Sequence, residues 1–377
     1  MKILIPSLGF SRSGGGRVLC KFADHWIGAG HTTEFLVNDA TSAPYFPTRA
    51  GVRRVTNSGV EARTAGRAAR SARFSGWRNL VSLYRALGKI GGNYDVLLAN
   101  HSLTAWPLAL ASCGRGCKFY YVQAYEPEVY SLEPGLKPRV LEWMAERSYR
   151  FDLVQICNAP VYVGYKSIRA RDWVPPAVDF DLFRPRPARR PLEGADEIVL
   201  GCIGRREPYK GIRDILRAFE FLWREDHRFR LRVAYGNLPA GWSHPGLEVA
   251  VPEDDAELAE YYRSLDVLIA PGTIQIGAPH YPVMEAMACG VPVITTGYLP
   301  ANPSNAWIVP VRDPAAIAVA ARAIVADRES REVRVARALS DIRPFTWDAA
   351  SQKMLLIFEE GLREQATDRP SKKPRTR

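Results

Sequence analysis

Two cations five residues apart, Arg205 and Lys210, stand in the stretch GRREPYKG, between the apolar run IVLGCI and a helical pattern. A guanidinium fork and a point-charge ammonium on one strand-to-helix loop can grip a leaving phosphate together. The alternative is a solvated loop, and Arg206 and Glu207 read as surface groups. A second stretch, IGAPHYPVMEAMACGVPVITT, runs from Ile276 to Thr296. Pro282 suits the first turn of a helix. The loop before it, Gly277, Ala278, Pro279, His280 and Tyr281, leads into a helix start whose N–H groups favour a phosphate. Glu285 lies three residues on, and two free carboxylate oxygens would accept a pair of vicinal hydroxyls, as on a ribose. Its alternative is a helix-dipole or buried-pair role. A third element is GGGR, with Gly14, Gly15 and Gly16 in the first strand-to-helix turn. Glycines permit a tight bend and close approach of backbone to ligand, and the helix beyond offers amide donors. A flexible turn explains the same residues.

Three further candidates stand at the ends of strand-like runs, where α/β sites lie. His101 follows YDVLLAN and could contact donor or acceptor. Gln123 ends CKFYYVQ and is a candidate for binding a sugar. Glu126, in AYEPE, is a candidate for orienting an acceptor or acting as general base. Each reads equally as a structural loop residue. The motifs hold no carboxylate pair for double displacement, no acidic cluster that marks a metal site and no sign of a cofactor. The six cysteines show no CxxC and no histidine at zinc spacing, so they read as free thiols.

The elements that must position these residues alternate between strand and helix. KILIPSL, TTEFLVN, YDVLLAN, CKFYYVQ and FDLVQICN form one series of apolar runs. A second series begins at DEIVLGCIG and continues through FRLRVAYG, DVLIAPG and VPVITT, with helical patterns between. That alternation predicts α/β architecture with parallel sheets. At 377 residues the chain exceeds one ordinary core. The proline-rich stretch VPPAVDFDLFRPRPARRPLEGA reads as a linker. The expected division is residues 1–185 and 186–345, then a helix over 346–365 packing back on the first domain. The expected tail, 366–377, is basic and disordered.

The apolar fraction of 47% and charged fraction of 24% suit a soluble protein. No apolar run reaches the roughly 18 residues of a membrane span, and the start reads as a first strand rather than a signal peptide. A net charge of +11 favours anionic partners. Between Arg49 and Arg78 lie eight arginines and one acid, Glu61. The WRNLVSLYRALGKI that follows puts Trp77, Leu80, Val81, Tyr84, Leu87 and Ile90 on one helical face. This stretch is either an anionic membrane-surface or acceptor site, or a core-packing helix behind a charged loop. A nucleic-acid partner is not expected, because no reading module appears. The expected location is the cytoplasm, with a peripheral place at the inner face of the membrane.

IGRREPYKG, LAEYYRSLDVLIAPG, PVMEAMACGVPVITT and FTWDAA together resemble the retaining glycosyltransferases of family 4, which have the GT-B fold. In PPAVDFDLFRP, Val178, Asp179, Phe183 and Pro185 match the family's linker, and GGGR followed by GAGH is similar to its start. The resemblance spans roughly residues 1–360. It implies two doubly wound Rossmann-like domains facing a central cleft. It also implies a nucleoside-diphosphate sugar as donor and a glycan, lipid-linked or small-molecule acceptor. Arg205 and Lys210 would bind the diphosphate, Glu285 the ribose, and the segment after Gly277 the transferred sugar. The glycine loop would face the donor across the cleft.

The chain departs from the family pattern at Gly277, where the first of two glutamates eight positions apart is expected, and APHYP replaces the common GFGLP. In many other members a histidine stands where Gln123 does. The altered loop is similar to that of a rhamnosyltransferase-like branch. A donor with fewer hydroxyls, such as a 6-deoxyhexose, would remove the need for that glutamate. The alternatives are another sugar held by relocated donors, His280 or Tyr281, or an inactive protein. A donor-binding partner subunit or a sugar-nucleotide epimerase of the same fold is the competing function.

Overall fold

The first strand, β1 (Lys2–Pro6), is KILIP, and all but its first residue are buried. Helix α1 (Gly14–Gly28) follows and buries Val18, Leu19, Phe22 and Trp26, the helical face legible in the sequence. The computed structural model describes residues 1–10, 14–62, 76–187 and 190–367. It divides into two units, Met1–Pro176 with Trp347–Arg377, and Ala177–Thr346. Residues 63–75 of the basic stretch and the tail 368–377 lie outside the described residues.

In the first unit, β1 is joined by β2 (Thr32–Asn38), β3 (Gly51–Val55), β4 (Val96–Ala99), β5 (Cys117–Val122), β6 (Val154–Cys157) and β7 (Asp172–Trp173). The sheet order is β3-β2-β1-β4-β5-β6-β7, with every pairing parallel. The direction of winding reverses between β1 and β4. Right-handed crossovers therefore put the helices that follow β3, β4 and β5 on one face and α1 on the other. On the first face lie α2 (Gly76–Ile90), α3 (Ser102–Leu110) and α5 (Leu136–Ser148), with the short α4 (Glu126–Ser131) before α5. A short α6 (Pro160–Val163) precedes β7. The terminal helix α12 (Trp347–Thr367) packs on α1 and β5. Its Trp347 meets Phe22 edge-on at 5.4 Å, and its Phe358 meets Phe119 at 4.8 Å.

The second unit repeats the plan. Its strands are β8 (Ile198–Ile203), β9 (Phe229–Ala234), β10 (Leu247–Ala250), β11 (Val267–Ala270), β12 (Val293–Thr295) and β13 (Trp307–Ile308). They pair in the parallel order β10-β9-β8-β11-β12-β13. Helix α7 (Ile212–Glu225) buries Ile215, Leu216, Phe219 and Leu222 against this sheet, as its period requires. Helix α8 (Asp255–Ser264) begins on an Asp254 cap, whose carboxylate accepts from Glu257 N–H at 2.9 Å. Helices α9 (Tyr281–Ala288), α10 (Pro314–Ala326) and α11 (Arg328–Ile342) complete the unit, and α9 is buried on every side.

Three features differ from the sequence expectation. The boundary expected at 185/186 falls inside the second unit, because Val178 and Phe183 of the proline-rich stretch are part of that unit's core. Strands β3 (GVRRV) and β10 (LEVA) carry charges that hide their strand character. Those charges pair across the edge, Arg53 with Glu34 at 3.2 Å and Arg232 with Glu248 at 2.7 Å. On α2 the buried side is Asn79, Ser82, Leu83, Ala86 and Leu87. Trp77, Val81 and Tyr84 of the expected apolar face are exposed. The reason is polar packing: Asn79 donates to the Leu8 carbonyl at 3.1 Å, and Ser82 accepts from Asn38 at 3.1 Å. All six cysteines are buried, and none forms a disulfide. No helix among the described residues is long and apolar enough to cross a membrane.

Candidate functional site

In the second unit the chain leaves β8 through Gly204, whose N–H bonds the Ala234 carbonyl at 2.8 Å. A Cβ there would stand 1.7 Å from the Gly236 carbonyl oxygen, so only glycine fits. The loop then presents Arg205 and Lys210 and closes at Gly211, which has φ of +77° and leads into α7. The Tyr209 carbonyl accepts from Thr273 N–H at 2.8 Å, which ties this loop to the one after β11. Arg205 is exposed and Lys210 half-buried. Neither side chain forms an ion pair or a side-chain hydrogen bond among the described residues. Burial, then the Arg205 cation, push the Lys210 ammonium down to about 8, while Glu207 acts in the opposite sense. Arg206 instead bonds Asn237 at 3.0 Å.

The loop after β11 supplies the third part. At Gly277 φ is +90°, where a glutamate would sit on strained backbone. The Gly277 and Ala278 amides are engaged by the Gly297 and Gln275 carbonyls, both at 3.0 Å. Donors toward a ligand must therefore come from elsewhere in this segment. His280 caps α9, its carbonyl accepting from Val283 and Met284. Its ring lies 4.8 Å from that of Tyr298, and its buried Nδ1 has no hydrogen-bond partner. Burial, then the Lys210 and Arg205 cations, hold this imidazole well below its ordinary range, so it is neutral. The fold thus brings Arg205, Lys210 and His280 into one electrostatic neighbourhood.

Glu285, on α9, is 2% exposed. It accepts a hydrogen bond from Tyr262 of α8, and burial and this carboxylate raise the Tyr262 phenol well above its ordinary value. The expectation of two free oxygens is corrected: part of the accepting capacity is used internally. Tyr262 stands in the quoted LAEYYRSL, but nothing in that spelling points it at Glu285.

In the first unit Gly14, Gly15 and Gly16 form the first turn of α1. Gln123, after β5, reaches the Gly15 carbonyl at 3.5 Å. A Cβ on Gly15 would stand 3.2 Å from Gln123 Oε1. Asn158, which sequence reasoning missed, donates to the Gln123 carbonyl at 2.8 Å and leaves its own Oδ1 buried and unbonded. The only signal for it is its place at the end of FDLVQICN.

His101 and Glu126 are also brought together, Nδ1 to Oε2 at 3.4 Å. His101 is the cap of α3: Nδ1 accepts from Leu103 N–H at 3.1 Å, and its own N–H donates to Thr104 Oγ1 at 3.1 Å. Glu126 accepts from Ser102 N–H at 2.9 Å and from the Ser102 hydroxyl. Both carboxylate oxygens of Glu126, the candidate for acceptor orientation or general base, are thus engaged by Ser102. The Glu126 side chain is 14% exposed against 34% for His101, so His101 is the member that can meet a ligand.

Among the described residues no group of three or more His, Cys, Asp or Glu is placed to hold a metal ion.

Two parallel sheets, each reversing its winding beside its first strand, match solved structures over nearly the whole chain. The sucrose-phosphate synthase of Thermosynechococcus elongatus aligns over 95% of this chain and 98% of its own, with a TM-score of 0.74 at 17% identity. Anabaena Alr3699/HepE, solved in complex with UDP-glucose, aligns over 96% and 100%, with a TM-score of 0.69 at 16% identity. The fold is GT-B. Within this GT-B chain, residues 197–327 match the family model described as glycosyl transferases group 1. That segment contains Arg205, Lys210, His280 and Glu285. A D-inositol 3-phosphate glycosyltransferase of Kineococcus radiotolerans is 29% identical over 232 residues, 52% of this chain and 53% of the relative. The chain spans about half the length of the curated relatives it matches.

Proposed function

We propose that this chain is a metal-independent glycosyltransferase that moves a sugar from a nucleoside-diphosphate donor with retention at the anomeric carbon. One observation carries the reading. Arg205 and Lys210 share a loop bounded by glycines that tolerate no side chain, and neither is neutralised by a carboxylate contact. Two adjacent cations with no carboxylate in contact are a site for a dianion such as a diphosphate.

Charge grows on the diphosphate as the sugar leaves. Arg205 and Lys210 stabilise it as it develops, because they are already in place and need no reorganisation. Glu285 accepts from the ribose with the capacity that Tyr262 leaves. In the first unit, His101 serves the acceptor. The leaving phosphate takes the acceptor proton on the same face, which gives retention.

The segment Gly277, Ala278, Pro279, His280, Tyr281 and Pro282 holds the transferred sugar. Gly277 offers no side-chain acceptor, so a 6-deoxyhexose such as rhamnose fits with fewer unpaired groups. His280, neutral and with a buried ring nitrogen available, is the replacement contact. UDP is the first nucleotide to test, given the UDP-glucose complex of Anabaena HepE. The acceptor is a glycan or a lipid-linked or small molecule, met in the cytoplasm or at the inner face of the membrane.

Thermal stabilisation against nucleoside diphosphates and then nucleotide sugars selects the base and the sugar. A ligand at about 100 times its Kd adds about 2.7 kcal/mol. Diphosphate release that requires an acceptor supports the transferase. Release of free sugar epimer without acceptor would mark an epimerase, and binding without turnover a donor-binding partner.

A further inference from the structure

Of the nine tryptophans only two are exposed, Trp77 at 66% and Trp143 at 61%. Trp77 is on α2 and Trp143 on α5, both in the first unit. Each belongs to an exposed apolar stripe. On α2 it is Trp77, Val81 and Tyr84, and on α5 Leu136, Val140 and Trp143. Both follow the i, i+4, i+7 spacing that lines one side of a helix. Helix α2 packs on α3 and α3 on α5, all on the same face of the sheet. The two stripes therefore look outward from one surface.

Cations border both stripes. Arg78, Arg85 and Lys89 lie along one side of the α2 stripe, and that helix contains no acidic residue. Lys137 and Arg139 flank the α5 stripe, and Arg147 continues it by a turn. None of the six forms an ion pair among the described residues. The acids of α5, Glu142 and Glu146, are half-buried on the side of the stripe that Arg139 flanks, and Glu146 is bonded by Tyr125 at 2.6 Å. Helix α2 buries Asn79 and Ser82 while leaving Trp77 and Tyr84 outside. That is the reverse of a helix whose outer side meets only water.

We propose that this surface lies on an anionic bilayer, with Trp77, Tyr84 and Trp143 at the headgroup boundary and the flanking cations on lipid phosphates. Aromatic rings with one polar edge settle at that boundary, and cations beside them add attraction that a neutral bilayer lacks. Helices α2 and α5 run opposite to the strands, so Trp77 and Leu136 at their starts lie toward the carboxyl edge of the sheet. Gln123 and His101 stand at that same edge, which would bring a lipid-borne acceptor to them. The inference rests on the surface alone and does not need the transferase reading.

The test is flotation of the full chain with vesicles of phosphatidylglycerol mixed with phosphatidylcholine, and with phosphatidylcholine alone, at low salt. The wild type should float with the anionic vesicles, and its tryptophan emission should shift to the blue. Trp77→Ser/Trp143→Ser should weaken this roughly tenfold or more, and neutralising Arg78 or Lys137 roughly fivefold each. Leu136→Ser/Val140→Ser gives an independent second variant, and unchanged far-UV circular dichroism shows that each is folded. Equal binding to neutral vesicles, or undiminished binding by both double variants, overturns the proposal. So does lipid-free self-association that the variants abolish, which would make the face a contact between copies of the chain.

Discussion

The affinity for a nucleoside diphosphate should fall with rising pH through one side chain. Lys210 is pushed down to about 8 by burial and by Arg205. In the free protein it is about nine-tenths charged near pH 7 and about one-tenth charged near pH 9. A diphosphate against the ammonium favours the charged form, so the complex keeps the proton across this range. Well below pH 8 both states are protonated and affinity is flat. Above it, binding must take up a proton. The ratio of charged fractions gives about a tenfold loss between pH 7 and pH 9, about 1.4 kcal/mol. The phosphates contribute little to this slope, since a second phosphate ionisation near 6 is complete by then. Calorimetric Kd values for UDP at several pH values measure it. Lys210→Arg, whose charge does not titrate here, should bind with no slope, and Lys210→Met should bind weakly with no slope. A flat wild-type profile, or the same slope in Lys210→Met, would refute the reasoning.

Arg205→Ala should cut turnover by roughly one to three powers of ten, as for loss of one preorganised donor; near-normal turnover would remove Arg205 from the machinery. Glu285→Gln should weaken UDP about tenfold or more, because a charged acceptor is lost, while inorganic pyrophosphate binds as before. Equal weakening of both ligands would place Glu285 in packing rather than ribose binding. Gly277→Glu should cost roughly 1–2 kcal/mol in urea unfolding, since φ is +90° there. Gly277→Asn should cost less, and an unchanged midpoint for the glutamate variant would show that the loop is not strained by a side chain.

The legible parts of the fold were those with a strong period or an unbroken apolar run. TTEFLVN coincides with β2, and GIRDILRAFEFLWRE contains α7, because a short continuous apolar run and an apolar face at period 3.6 are written in the residues themselves. Strands β3 and β10 were not legible, since their arginines and glutamates are satisfied by partners on neighbouring strands. The site was legible as residue types. GRREPYKG marked the cations, and the glycines around them proved to be positions where a Cβ meets backbone oxygen.

The sequence by itself determined the alternation of strands and helices, the glycine-bounded cation loop and the carboxylate at Glu285, because these depend on local order and spacing. Only the tertiary structure decided the chemistry of those groups. Tyr262 engages Glu285, Ser102 engages Glu126, and His280 is held neutral beside Lys210 and Arg205. Each of these comes from loops or helices far apart in the chain. The same holds for α2: its period shows where the apolar residues lie, and only packing against Leu8 and Asn38 decides that Trp77 and Tyr84 stay outside. Burial and through-space charge set protonation and exposure, and neither is encoded in the neighbours along the chain.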